Sequence, residues 1–396
     1  MLWNSFGSAI SLLCNYLISI LVVRLSAGFE AAGLYSLAMA VANTVLPIAV
    51  FCSRTYQVSD VNKEYTAGEY FTFRIYTSIL AIGLGMVGTI LIGRIDAIVT
   101  IGLFLIYKMV TLVIDVFHGV DQKHYRMDII GKSLIIQGVS SLLIFLVVFW
   151  VSNNLNLALL FMSLGIILIA LVYDLPQASS MEIIQFNLPK DRALRLFKTC
   201  IPLVFSGFIF SLTAAFPREF VSATMGDEIM GAYSSIAMPV AIIQMSTTYI
   251  YLPLISYFSD LFSKGDNKGI ALLFAKTFLG ILVMCFVCMI GVRLLGGPVL
   301  KALYGPMILD YLYLLGPLVF YAVITGIMWF LKDLLIAFRN FRSTVFAGCF
   351  ALIVLLVVIR PCSTYWGLNG VTFASVLSCL SCVGLMMTAL IIQLKK

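Results

Sequence analysis

Apolar runs of about twenty residues recur along this chain from end to end, and that recurrence constrains its fold more than any single motif. A helix needs about 20 mostly apolar residues to cross the hydrocarbon core of a bilayer. Twelve runs of that kind are readable, at about 3–23, 31–53, 75–94, 98–118, 129–151, 155–173, 200–217, 229–253, 270–292, 307–330, 343–359 and 367–392. The longest polar stretches between them, 54–74, 174–199 and 254–269, are too short to fold alone. The first run lacks a basic leader and a small-residue cleavage site, so it reads as a span rather than a signal peptide. Only 11% of the 396 residues are charged, against about 25% in soluble domains, which excludes a water-soluble enzyme. No clustered basic face offers a nucleic-acid interface. The expected fold is an all-α polytopic membrane protein of twelve transmembrane helices.

Lysine and arginine accumulate in cytoplasmic loops. Alternating the loops between two sides puts eighteen of the 25 basic residues on the side shared with the C-terminus. Six lie opposite (Arg24, Arg94, Arg218, Arg293, Lys301 and Arg360), and Lys108 falls in mid-span. Both termini are therefore expected in the cytoplasm. The segment 187–198 (NLPKDRALRLFK) reads either as a short interfacial helix with a basic face on anionic head groups or as a solvated linker.

The chain repeats itself at an offset of half its length. Residues 28–36 read GFEAAGLYS and residues 226–234 read GDEIMGAYS, with Gly28, Glu30, Gly33, Tyr35 and Ser36 matching Gly226, Glu228, Gly231, Tyr233 and Ser234. The glycines suit a tight turn and the glutamate complements the dipole of the helix that follows. Six spans per half give a parallel repeat, with bundles expected over residues 1–185 and 186–396. Transporters built this way place the substrate pathway between their repeats.

Ionisable residues inside a span cost several kcal/mol unless they face a wet cavity or a partner. Lys108 lies among Leu103, Phe104, Leu105, Ile106, Met109 and Val110, and Asp115 follows two turns later on the same helical face. Two readings stand: a polar face toward a central cavity, or a structural lysine paired with a carboxylate from another helix. Arg24 and Arg218 end the first and seventh spans, and Arg54 ends the second. Each alone suits a snorkelling arginine. Together with Lys108 they suggest a cationic cavity for an anionic substrate, since guanidinium forks bind phosphate oxygens bidentately. Asp115, Asp174 and Glu219 are candidate charge partners or coupling-ion sites. Prolines 47, 202, 239, 253 and 317 can kink the spans.

Other chemistries are set aside. His118-Gly-Val-Asp121 superficially offers an acyltransferase base and acid but has no second catalytic signature. The Cys285/Cys288 and Cys379/Cys382 pairs lie in apolar helices, where packing explains them. No catalytic residue, metal site or bound cofactor is expected, beyond a proton or sodium gradient as energy source.

The sequence resembles the Wzx-like lipid-linked oligosaccharide flippases of the multidrug/oligosaccharidyl-lipid/polysaccharide (MOP) exporter superfamily. The resemblance is carried by Gly28–Ser36 after Arg24, RTYQVSD at 54–60, DVFHGVDQKHYRMDIIGKS from Asp115 to Ser133, FPREFVSATMGDEIMGAYSSIAMP from Phe216 to Pro239, and YWGLNGVTFA at 365–374. It implies a V-shaped pair of six-helix bundles in a bacterial cytoplasmic membrane. It also implies transfer of undecaprenyl-pyrophosphate-linked sugars to the outer leaflet by alternating access, with cavity-lining cations at the places of Arg24, Arg54 and Arg218. Such a protein works as a monomer beside a polysaccharide polymerase and chain-length machinery. Two other readings remain open: a cation-coupled multidrug exporter of the same superfamily, relying on carboxylates such as Asp115 or Glu219, and a membrane-embedded enzyme of glycan assembly.

Overall fold

Within a bilayer every backbone N–H and C=O must find its partner inside the chain, and helices satisfy that demand locally. A computed structural model describes residues 2–26, 28–51, 54, 57, 58 and 64–394, and among them every element is helical. Cys52, Lys63, Lys395 and Lys396, with Thr55, Tyr56, Ser59 and Asp60 of the RTYQVSD stretch, lie outside the described residues. The first helices are α1 (Leu2–Leu25), α2 (Glu30–Val50), α3 (Ala67–Leu91), α4 (Ile98–Lys123), α5 (Met127–Ser152) and α6 (Leu155–Ser179). They are followed by α7 (Lys190–Met225), α8 (Asp227–Tyr251), the short α9 (Ile255–Ser263), α10 (Asn267–Tyr304), α11 (Leu315–Ala337) and α12 (Phe341–Leu394).

Among the described residues eleven helical segments are long and apolar enough to cross a membrane. The last, α12, has 54 residues and contains Gly367 at φ 57° and ψ −133°. At about 1.5 Å per residue it would greatly overrun a hydrocarbon core of about 30 Å. Gly367 therefore divides it into two helices, and glycine tolerates that backbone because it has no Cβ.

Two helices begin earlier than their apolar runs. The start of α3 is fixed by a capping box: the Thr66 side chain accepts from Glu69 N at 3.3 Å while Glu69 Oε2 accepts from Thr66 N at 2.8 Å. This puts Arg74 two turns inside the helix instead of in a loop. Residues Lys190–Lys198 are the first turns of the continuous 36-residue α7, not a separate interfacial helix. Leu196, Cys200 and Val204 share one face of α7, buried against Phe51, Tyr65, Tyr70, Phe73 and Val116. That packing carries the helix through Pro202. Arg192 binds Glu69 and donates to Glu64 O at 2.7 Å, and Glu69 raises the affinity of its guanidinium for the proton.

The chain resolves into two compact units, Met1–Ser211 with Arg218–Gly231, and Leu212–Pro217 with Ala232–Lys396. In the first, α1 packs along α5, α2 lies against α3 and α4, and α6 covers α4 and α5. In the second, α11 packs against α12, and α9 packs against α10 and α11. Tyr251 donates to Asp333 Oδ2 at 2.8 Å there, tying α8 to α11.

The first copy of the repeat and the start of the second, Gly226–Gly231, meet inside the first unit. Gly33 and Gly231 sit in the opening turns of α2 and α8, not in the turns before them. A Cβ on Gly33 would lie 1.8 Å from Asp227 O, and one on Gly231 would lie 2.1 Å from Phe29 O. The repeated glycine is thus a mutual contact between its own two copies. Of the turn glycines, Gly226 has a positive φ of 92°.

Beside this crossing, Arg94 leaves the end of α3 and forks onto Asp227, with Nη1 at 2.7 Å from Oδ1 and Nη2 at 2.6 Å from Oδ2. It also binds Asp96 at 2.7 Å, Ser222 O at 3.2 Å and the Ser222 hydroxyl. Asp96 first and Asp227 second hold this guanidinium above its usual pKa range.

Gly33→Leu or Gly231→Leu is expected to force the two backbones apart, at a cost of at least about 1–3 kcal/mol. Gly28→Ala, where an added Cβ meets nothing within 4 Å, is the matched control. Thermal unfolding of the purified protein in detergent should show a lower midpoint for the first two only. Arg94→Lys keeps the charge and loses the fork. It should lower the midpoint in the same assay despite being the conservative change.

Candidate functional site

Site geometry begins at the end of α2. Phe51 closes that helix in the left-handed region, at φ 43°, with its N–H on Pro47 O at 3.0 Å. Its ring is buried, stacked on Phe197 at 4.9 Å and edge-on to Phe73 at 5.4 Å. Thr77 donates to Ala49 O at 2.9 Å, satisfying another terminal carbonyl. With α2 anchored there, Arg54 reaches α4, where it binds Asp115 and donates to Gln122 Oε1 at 3.1 Å.

Asp115 is held from a second side by Arg74 of α3, whose Nη2 lies 3.7 Å away and whose side chain is 0% exposed. Two arginines therefore share one carboxylate. One turn or two along the same face of α4 stand His118 and Lys108. The Lys108 ammonium lies over the rings of Phe104 and Tyr107, 5.7 and 5.6 Å from their centroids. It makes no ion pair among the described residues.

Arg54, Lys108, Asp115 and His118 open onto one cavity of about 420 Å³ within the first unit. The opposite wall is a polar stripe on α1, Asn4, Ser8, Ser11 and Asn15, and Gln137 of α5 contributes an amide. Their spacing of four, three and four puts the α1 residues on one helical face. That volume falls in the roughly 300–1,000 Å³ range of small-ligand sites. Arg54, Arg74 and Lys108 against Asp115 leave the cluster with an excess of positive charge.

Of the cations expected to act together, the structure unites Arg54 and Lys108 and does not bring Arg24 or Arg218 to this cavity. Arg24 is exposed in the last turn of α1, and Arg218 is half-buried on α7. Among the carboxylates, Asp115 is the arginine partner just described. Glu219 is buried on α7, accepting from Thr44 of α2 at 2.9 Å. Asp174 is buried beside His118, with Oδ1 3.5 Å from Nε2. Among the described residues no group of three His, Cys, Asp or Glu side chains is arranged to hold a metal.

Sequence reading missed Arg74 and the α1 stripe. Arg74 looked like a loop residue because its helix starts in polar sequence, and only the Thr66/Glu69 capping box could have revealed it. The stripe was legible as Asn4, Ser8, Ser11 and Asn15 recurring at helical spacing in an apolar run.

Exchanging the carboxylate tests the shared pairing. Asp115→Asn should destabilise the protein by roughly 1–3 kcal/mol, the cost of a lost charged hydrogen bond. The double variant Arg54→Gln/Asp115→Asn should cost less than the sum of the single changes, a coupling of about 0.5–3 kcal/mol in a double-mutant cycle. Additive effects would show that the pair contributes nothing.

No family model matches the chain. A curated relative, the capsular polysaccharide biosynthesis protein CapF of Staphylococcus aureus, is 28% identical over 253 residues, covering 62% of this chain and 63% of that protein. The chain thus matches less than two thirds of that relative's length. Among solved structures, a multidrug resistance MATE family transporter of the MOP superfamily in its inward-facing conformation superposes with a TM-score of 0.74 at 13% identity, covering 97% of this chain and 95% of the other. The lipid II flippase MurJ, in an inward closed conformation, gives 0.72 at 11% identity over 98% and 87% of the two chains. Eleven span-length apolar helices and these likenesses make the chain a multi-pass membrane protein with the fold of the MOP superfamily transporters, the architecture shared by a MATE exporter and the MurJ flippase.

Proposed function

We propose that this protein is a flippase carrying a lipid-linked oligosaccharide, joined through a pyrophosphate to its polyprenyl lipid, from the cytoplasmic to the outer leaflet of a bacterial cytoplasmic membrane. Both termini face the cytoplasm in this reading, as the distribution of lysine and arginine suggests. The single observation that carries it is the cation excess at the cavity. Lys108 sits deep in a span with no carboxylate on it among the described residues. A buried cation of that kind is costly unless a counter-charge arrives, and a pyrophosphate supplies one. Arg54 would take part of its oxygens, and Asn4, Ser8, Ser11 and Asn15 would donate further hydrogen bonds.

The fold kinship with MurJ and the sequence kinship with a capsular polysaccharide biosynthesis protein support the same reading. At about 420 Å³ the cavity suits the charged headgroup linkage and not a whole glycan. The sugars would then occupy other space during transfer. Alternating access, driven by an ion gradient, supplies the movement, and a polysaccharide polymerase would receive the product. A MATE exporter shares the fold, so export of organic cations is the competing reading. A net-positive cavity argues against it.

Leaflet accessibility of a lipid-linked oligosaccharide in reconstituted vesicles tests the proposal. Lys108→Ala should slow transfer by about ten- to a hundredfold, as expected for loss of a charge-assisted contact of roughly 1.5–3 kcal/mol. Lys108→Arg should retain most of the rate. Equal rates for wild type and Lys108→Ala, or efflux of organic cations by wild type without lipid transfer, would overturn it.

A further inference from the structure

On the far side of His118 from the cavity lies a second group of ionisable residues that the anion site does not use. α6 carries a π turn at Ala170–Asp174, closed by the Leu175 N–H on Ala170 O. Turns of this kind insert one extra residue and recur at functional sites. Here the turn ends on Asp174, which lies beside α4. The Asp174 side chain is 0% exposed, and neither of its oxygens has a hydrogen-bond partner among the described residues. Its neighbour Asp121, one turn beyond His118 on α4, is 1% exposed and has an unpartnered Oδ1.

His118 belongs to both places. It lines the cavity, and its Nε2 lies 3.0 Å from Ser133 Oγ and 3.5 Å from Asp174 Oδ1. Gln137 extends this path by donating to Ser133 Oγ at 2.8 Å, and Gln137 also faces the cavity. A chain of polar groups therefore runs from the cavity to two buried carboxyl groups that keep unpartnered oxygens among the described residues.

Buried polar atoms with no partner are rare and call for an explanation. A proton on such a carboxyl group turns it from an acceptor into a donor. The absence of a three-ligand metal arrangement among the described residues leaves a proton as the cation that needs no coordination shell. The surroundings contribute little compensation. Arg126 is committed to Asp128 at 2.9 Å at the start of α5. Tyr173 adjoins Asp174 on α6, and the His124–Glu182 pair (3.9 Å) stands nearby. α3 packs here through Ala67 and Phe71, which are apolar. Toward the cavity the charged groups are Asp115 and Arg54, which bind each other, and Lys108.

We infer that Asp174 and Asp121 form a proton-binding site, loaded from the cavity through His118 and the Ser133 hydroxyl. A proton enters on the imidazole and passes to a carboxylate, leaving His118 neutral and Asp174 or Asp121 as the acid. The reverse path returns it. This places proton uptake within one turn of the Arg54–Asp115 pair, where it can sense whether an anion occupies the cavity. The inference rests on the first unit's own geometry and holds for any anionic cargo.

Infrared difference spectroscopy between two pH values, on protein purified in an ester-free detergent, tests it without substrate. Wild type should show the carbonyl stretch of a protonated carboxylic acid growing on acidification. Asp174→Asn should remove or halve that band, and His118→Gln should displace its midpoint. If Asp174→Asn fails to yield monodisperse protein, Asp121→Asn and His118→Gln carry the same comparison. An identical band in every purified variant would overturn the inference. So would a wild-type band abolished by sodium but not by choline, which would assign the site to a metal cation. Transfer of lipid-linked sugar plays no part in this readout, so its outcome is independent of the cargo proposed above.

Discussion

The arrangement of the first unit hangs on one guanidinium. Arg94 stands at the corner between α3 and α4, and its fork on Asp227, with Ser222 and Asp96, ties that corner to the end of α7 and the start of α8. A lysine's point charge could meet one of these carboxylates but not all the acceptors in one plane. The neighbouring glycine crossing makes the fork reachable, because Gly33 and Gly231 let the opening turns of α2 and α8 meet backbone to backbone. Since α4 begins four residues after Arg94, fixing this corner fixes the helix that carries Lys108, Asp115 and His118.

That helix separates opposite charges. Lys108, Asp115 and His118 follow one another at seven and three residues, on one face. Arg54, beyond the end of α2, and Arg74 of α3 converge on Asp115, so this face is positive overall. Asp121 and Asp174 lie further on, with unpartnered carboxylate oxygens among the described residues. His118 stands between the two regions and can carry charge or give it up. An anion in the cavity and a proton behind His118 would stabilise each other in a medium that screens little. Reciprocity of such a coupling is a thermodynamic requirement.

Much of this was legible in the sequence, and the gaps have physical causes. Apolar length and charge scarcity fix an all-helical membrane fold, because a bilayer admits few alternatives. Lys108 and Asp115 announced themselves by being charged in mid-span. The repeat was visible, yet its glycines read as turn residues, since local sequence cannot show that two copies 198 residues apart press on each other. Arg74 and Arg94 were counted as loop charges because hydropathy windows place helix ends by apolarity. A capping box and an ion-pair network decide those ends instead. The π turn that buries Asp174 leaves no periodic trace at all, because its extra residue changes the register by less than one turn.

Charged groups of two kinds stand in and beside the spans of this unit. Arg94 with Asp227, Asp115 with Arg54 and Arg74, and Glu219 with Thr44 each have partners that satisfy them where they stand. These groups hold helices together, and of them only Arg54 and Asp115 also line the cavity. Lys108, Asp121 and Asp174 are different: among the described residues the ammonium has no ion pair and the two carboxyl groups keep unpartnered oxygens. A sequence under no functional demand would replace such residues by apolar ones of similar volume, at a gain in stability. Their placement on either side of one histidine is what a protein needs if an anion and a proton are to be handled by the same helix.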